Sequence, residues 1–241
     1  MLSECCGDYE RAREYHERDL VLRRALNDPR GVACAQGNLS INASHRKDYD
    51  GAEVYGQASL AQYQLLEDRH ACANILTNLG AIASYRAEYR EAERLYREAL
   101  AEYRALFDSA GSGDALHNIG EILLSQGQPA EAQPYFCESL FARRTVGNAQ
   151  RIATTVTHLA VSVAPSGDHA RVCLLWGAAS HLRESGGIPD FPENRQYQAT
   201  LASSRAAVGE EQFQALRLQS RHMNARQVID FVLSLYPALP R

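Results

Sequence analysis

Apolar and small residues return along this chain on a fixed ruler. One column reads Leu39, Leu79, Ile119 and Leu159, and a second reads Leu20, Leu60, Leu100 and Leu140. Small residues fill Ser40, Gly80, Gly120 and Ala160, and again Ala12, Ala52, Ala92, Ala132 and Val172. A bulky column runs Tyr15, Tyr55, Leu95, Tyr135 and Leu175. Every column steps by 40 residues, and short strings step with them: GDYERA at 7–12, KDYDGA at 47–52, AEYREA at 87–92, GQPAEA at 127–132 and GDHARV at 167–172. A period of this length defines the architecture before any other feature.

Each unit divides into two amphipathic helices, in the second unit from about 30 to 46 and from about 49 to 66. Tyr89, Ala92, Tyr96, Ala99 and Leu100 show the helical spacing of one apolar face. Turns precede the second helices at Gly7-Asp8, Lys47-Asp48, Gly127-Gln128 and Gly167-Asp168. Pro129 suits a first helical turn, where its missing N–H costs nothing. Pro134, deeper in the same helix, is expected to kink it. Gly80 and Ala92 fall where the two helices of a hairpin cross, so a large side chain there would push them apart. A lone hairpin cannot bury both faces, so neighbours must stack. The pattern predicts an all-α, right-handed α-solenoid of four to five hairpins over residues 1–185, with units near 1–27, 28–67, 68–107, 108–147 and 148–185.

After residue 185 the ruler stops. Gly186-Gly187-Ile188-Pro189 ends a helix, and a loop runs through Pro192. Three shorter helices are predicted at about 194–208, 210–221 and 224–236, with Gly209 as a stop and Asn224 as an N-cap. Residues 186–241 read as a helical cap covering the last hairpin. At the other end, the ruler places the first leucine of the first hairpin before Met1. That predicts a cut piece of a longer protein, an end-capping helix, or an open end that pairs with another copy.

Composition narrows the function. The chain has 241 residues, 45% hydrophobic and 22% charged, with a net charge of −4. That balance fits a folded protein and disfavours direct nucleic-acid binding, which needs clustered cations. No apolar run approaches the roughly 18–20 residues of a membrane span. No basic-then-apolar leader opens the chain, so a cytoplasmic location is expected. Six cysteines without a CxxC pair read as free thiols. No GxxxxGK[ST], HExxH or GxSxG motif occurs, so neither catalysis, cofactor nor metal is expected. Among the scattered histidines, His117 and His158 alone merit scrutiny.

The columns resemble the tetratricopeptide repeat (TPR), whose small and large positions are matched by Leu79-Gly80, Tyr89, Ala92, Tyr96 and Ala99-Leu100; the unit of 40 exceeds the family's usual length of about 34. Longer units resemble those of kinesin light chains and bacterial regulators. The strings LLWGAASHLRESGGIP, RQYQATLASSRAAVGEEQF and NARQVIDFVLS resemble the tail of LuxR-type and STAND-ATPase regulators and of multidomain adenylate and guanylate cyclases. The resemblance implies a protein-binding or sensor arm in bacterial signal transduction or transcriptional control.

One column suggests the binding site. Asn38, Asn78, Asn118 and His158 stand 40 apart, immediately before the leucine column. In related repeats this edge faces a concave groove, where an asparagine amide can both donate to and accept from a peptide backbone. The alternative is that each amide bonds a neighbouring helix. His45, Tyr85 and Glu121, one or two turns on, complete the candidate groove. A small-molecule sensor and an oligomerisation module are the rival functions.

Overall fold

The computed structural model describes residues 9–145, 147–187 and 195–237, and every regular element among them is helical. No helix among the described residues is long and apolar enough to cross a membrane. The helices gather into two compact units that divide between Asp108 and Ser109, inside the repeat array.

The first unit holds α1 (Tyr9–Ala25), α2 (Pro29–His45), α3 (Tyr49–Leu65), α4 (Arg69–Tyr85) and α5 (Tyr89–Ala105), each of 17 residues. Each packs on the next, and α2 also touches α4. The boundaries expected from the sequence for α2 and α3 fall within a residue of these.

The backbone repeats twice as often as the side-chain columns. Every link between these helices has three residues, and the middle one is left-handed: Asn27 (φ 51°), Lys47 (φ 62°), Glu67 (φ 53°) and Ala87 (φ 60°). The same 20-residue step continues to Phe107 at the end of α5 (φ 56°). At each link two nested hydrogen bonds close the helix end, as in Lys47 N–H to Ser44 C=O (2.9 Å) and Asp48 N–H to Ala43 C=O (2.9 Å). The next residue then starts the following helix. Asp28, Asp48 and Asp68 each accept from the N–H three residues on, satisfying a donor the helix cannot. One short link thus ends one helix and begins another.

The second unit holds α6 (Ser109–Ser125), α7 (Pro129–Ala142), α8 (Ala149–Val163), a 3-10 turn (Ala164–Ser166) and α9 (His169–Gly186). The 20-residue ruler persists, now with glycine at its left-handed positions: Gly127, Gly147, Gly167 and Gly187. α7 runs through Pro134 as one helix. Three further helices follow: α10 (Arg195–Val208), α11 (Glu210–Leu218) and α12 (Ala225–Ser234). The last two end earlier than the sequence suggests. Asn224 does cap α12, in a reciprocal box with Gln227. α10 and α11 pack on α9, and α12 packs on α7 and α8. α11 comes close at Gly177, where a Cβ would lie 2.9 Å from the Arg217 Cα. Phe213 stacks beside Trp176 at 5.6 Å, so an aromatic pair joins cap to hairpin.

The small columns do what their size predicts. Ala12, Ala52, Ala92 and Ala132 are fully buried. Gly80 faces the ring of Tyr96, and Gly120 that of Phe136. Hydroxyls serve the same crossings: Ser59 donates to Ala33 C=O (2.8 Å) and Ser139 to Gly113 C=O (2.6 Å). The sequence expectations at Gly7-Asp8, Cys5, Cys6 and 188–192 lie outside the described residues.

Candidate functional site

In the first unit Asn38 on α2 and Asn78 on α4 are both half-buried at the equivalent helical position. The Asn38 amide has only a 3.9 Å contact to Cys34 Sγ, and the Asn78 amide has no partner among the described residues. Neither bonds a neighbouring helix.

His45 and Tyr85 sit at the helix ends instead. His45 stacks on Tyr9 at 5.3 Å, and Tyr85 on Tyr49 at 5.7 Å. An arginine braces each of these corners: Arg46 meets Glu10 (2.7 Å), and Arg86 meets Glu53 (2.7 Å) and Asp50. Both aromatic residues remain exposed, so each offers a ring edge to solvent while fixing a hairpin corner. The sequence did not single out Asn74. Its Oδ1 accepts from the Tyr103 hydroxyl (2.8 Å) one turn before Asn78, and its Nδ2 lies 3.3 Å from His70 Nδ1. A concavity of about 460 Å³ lies elsewhere in this unit, and the Arg69–Glu102 ion pair (2.7 Å) forms part of its wall.

In the second unit Asn118 is half-buried and its amide has no partner among the described residues. Beside it the column changes character. His158 on α8 meets Glu121 on α6, with Nδ1 3.4 Å from Oε1. His117, one turn before Glu121, brings Nε2 to 3.5 Å from Oε2. The two rings lie 5.1 Å apart, and Phe136 closes over both at 5.7 and 6.0 Å. The candidate groove residues Glu121 and His158 thus come together, and His117 joins them.

Burial governs the charge state of this cluster. It pushes His117 well below the ordinary histidine range, helped by His158 and the Arg143 guanidinium. It pushes His158 down to about 4, helped by Arg183. It raises Glu121 to about 7, although the side chain keeps 44% of its surface open, so its neighbours surround rather than seal it. Both imidazoles are therefore neutral at pH 7. The buried arginines are held separately. Arg143 binds Asp114 (2.6 Å) and the Ser139 hydroxyl (3.1 Å), and Arg183 donates to Thr157 Oγ1 (2.7 Å). Burial lowers Arg143 to about 10, which still leaves it cationic.

Stacked 40-residue helical hairpins with small residues at each crossing define a helical repeat protein of the scaffold type. Two models of the tetratricopeptide repeat match the chain, one at residues 31–105 and 72–145, the other at 1–30. These matches run across more than half of the sequence, and the chain belongs to the TPR family. Its fold is similar to the crystal structure of BtubC (BKLC) from P. vanneervenii, at TM-score 0.71 and 19% identity over 97% of this chain and 95% of that one. It is also similar to the crystal structure of a candidate kinesin light chain from Podosopora anserina with nearly identical TPR-like repeats. That match has TM-score 0.63 and 12% identity, over 77% of this chain and 91% of the other. No curated protein sequence matches the chain.

Proposed function

We infer that the chain is a non-enzymatic protein-interaction scaffold or sensor arm of bacterial signal transduction or transcriptional control. It holds a peptide or partner segment against the first-helix column of each unit. TPR repeats suggest a scaffold that binds proteins; the finer assignment goes beyond the family. The observation that carries it is the set of half-buried amides of Asn38, Asn78 and Asn118 at one repeat position, none of which bonds a neighbouring helix. A peptide backbone supplies both a donor and an acceptor for each amide. The resemblance of the C-terminal strings to regulator tails supports the signalling context and a cytoplasmic location. The low net charge supports a partner other than nucleic acid.

The test is affinity capture with the wild type and with Asn38→Ala/Asn78→Ala/Asn118→Ala, both checked for folding by circular dichroism. A partner held by the first and lost by the second supports the site. Equal capture by both contradicts it.

One observation favours self-association through α1 as a second activity. Val21, Leu22 and Leu26 are 67%, 56% and 63% exposed at the C-terminal end of that helix and just beyond it. Sedimentation of Val21→Glu/Leu22→Glu against wild type tests it, since only a real apolar interface would dissociate.

A further inference from the structure

We propose that His117, Glu121 and His158 form a binding site for a divalent transition-metal ion of the zinc class. Three side chains that each carry a metal-ligating atom converge here, and those atoms all lie within 4.8 Å of one another.

The repeat itself marks the site as added. At the His117 position the other units carry Gly37, Thr77 and Thr157. At the His158 position they carry Asn38, Asn78 and Asn118, and at the Glu121 position Ile41, Ala81 and Val161. The hairpin architecture therefore needs none of the three. All three departures meet at one point, on α6 and α8.

The geometry suits a metal better than a hydrogen-bonded pair. With metal–ligand bonds of about 2.0–2.1 Å, two ligands of a tetrahedral ion stand about 3.3 Å apart. Here His117 Nε2 lies 3.5 Å from Oε2 and His158 Nδ1 3.4 Å from Oε1, so each imidazole faces its own oxygen of the Glu121 carboxyl group. A charge-assisted hydrogen bond would be about 2.7–2.9 Å. His158 Nδ1 is indeed buried without a hydrogen-bond partner, although the carboxylate lies beside it.

The proton on His117 is also placed. The Thr155 hydroxyl donates to Arg151 C=O (2.9 Å) and lies 3.0 Å from His117 Nδ1. Having spent its proton on the carbonyl, that oxygen accepts from Nδ1–H. The lone pair of His117 is therefore on Nε2, aimed at Glu121. This is the outer support that orients a ligating histidine. One ring nitrogen of each histidine and the Glu121 carboxyl group thus face a common space. Glu121 remains open to solvent and gives a path of entry. Two imidazoles and one carboxylate leave a tetrahedral ion one open position, for water or for a group on a partner.

The test is titration of the chelator-treated full chain with zinc and with cobalt(II), using Cys5→Ser/Cys6→Ser/Cys34→Ser as background so that thiols do not compete. The expected result is a single zinc ion per chain and a cobalt spectrum without thiolate charge transfer. His158→Asn and His117→Thr restore residues that this chain already carries at those repeat positions, so both should fold. Each is expected to abolish binding. Thr155→Val is expected to weaken it about 10-fold. Binding no tighter than to unfolded chain, or undiminished in His117→Thr/His158→Asn, overturns the proposal. The metal is read on the chain alone with no partner present, and Asn38→Ala/Asn78→Ala/Asn118→Ala touches none of its three ligands and should keep it, so failure of the amide column and failure of the metal site are told apart.

Discussion

The ring of Tyr96 lies against the backbone of Gly80: a Cβ at that glycine would come within 2.7 Å of Cε1. Tyr96 is buried and cannot swing away. Gly80→Ala is therefore predicted to lower stability by about 1–2 kcal/mol. Overpacking costs roughly 1–3 kcal/mol, while alanine returns up to about 1 kcal/mol of helix propensity. Urea denaturation of Gly80→Ala and of Gly80→Ala/Tyr96→Leu checks this, because the smaller partner should recover part of the loss. Ala92→Leu should also destabilise, while exposed Arg90→Ala should not.

The link residue Ala87 has φ 60°, a conformation costing an L-residue roughly 1–2 kcal/mol. The second unit meets the same need with glycine. Ala87→Gly is predicted to stabilise the fold by about 1 kcal/mol, since glycine removes the steric penalty but gives back some chain entropy. A thermal melt with unchanged or lower Tm would show that the link is not strained.

Cys137 on α7 is buried, and burial pushes its thiol up to about 12. Cys72 and Cys173 are buried and raised in the same way, whereas Cys34 is exposed. Since the thiolate is the reactive form, native alkylation near pH 8 should label Cys34 and spare the other three. Peptide mapping after a short iodoacetamide pulse reads this directly. Rapid labelling of Cys137 would contradict the packing of the second unit.

Gly177 lets the α11 backbone approach α9. Gly177→Leu is predicted to loosen the cap, raising amide exchange across 195–218 while leaving α1–α5 unchanged. Mass spectrometry after deuterium exchange separates this from global destabilisation, which would raise exchange in both regions.

The hairpins were legible because each crossing demands a small residue, and Gly80, Ala92 and Gly120 recur on the ruler. The 20-residue backbone step was less visible. It shows only through capping residues such as Asp28, Asp48, Asp68 and Asp168, whose side chains do not lie in the apolar columns. The asparagine column was legible for the same reason as the core; His117, Glu121 and His158 were each singled out, but their convergence was not legible. His117 and Glu121 are four apart, a common spacing, and the third member comes from another helix. His45 and Tyr85 were expected in the groove, and they stack at hairpin corners because Tyr9 and Tyr49 begin the adjacent helices.

The central claim, that a partner lies against the asparagine amides, is tested most directly by site-specific photocrosslinking. A photoreactive residue is placed at Asn78 in one version and at exposed Arg90 in another. The account predicts that the first forms a defined adduct with a partner and that the second does not. Equal adducts from both positions, or an adduct from Arg90 alone, would contradict it.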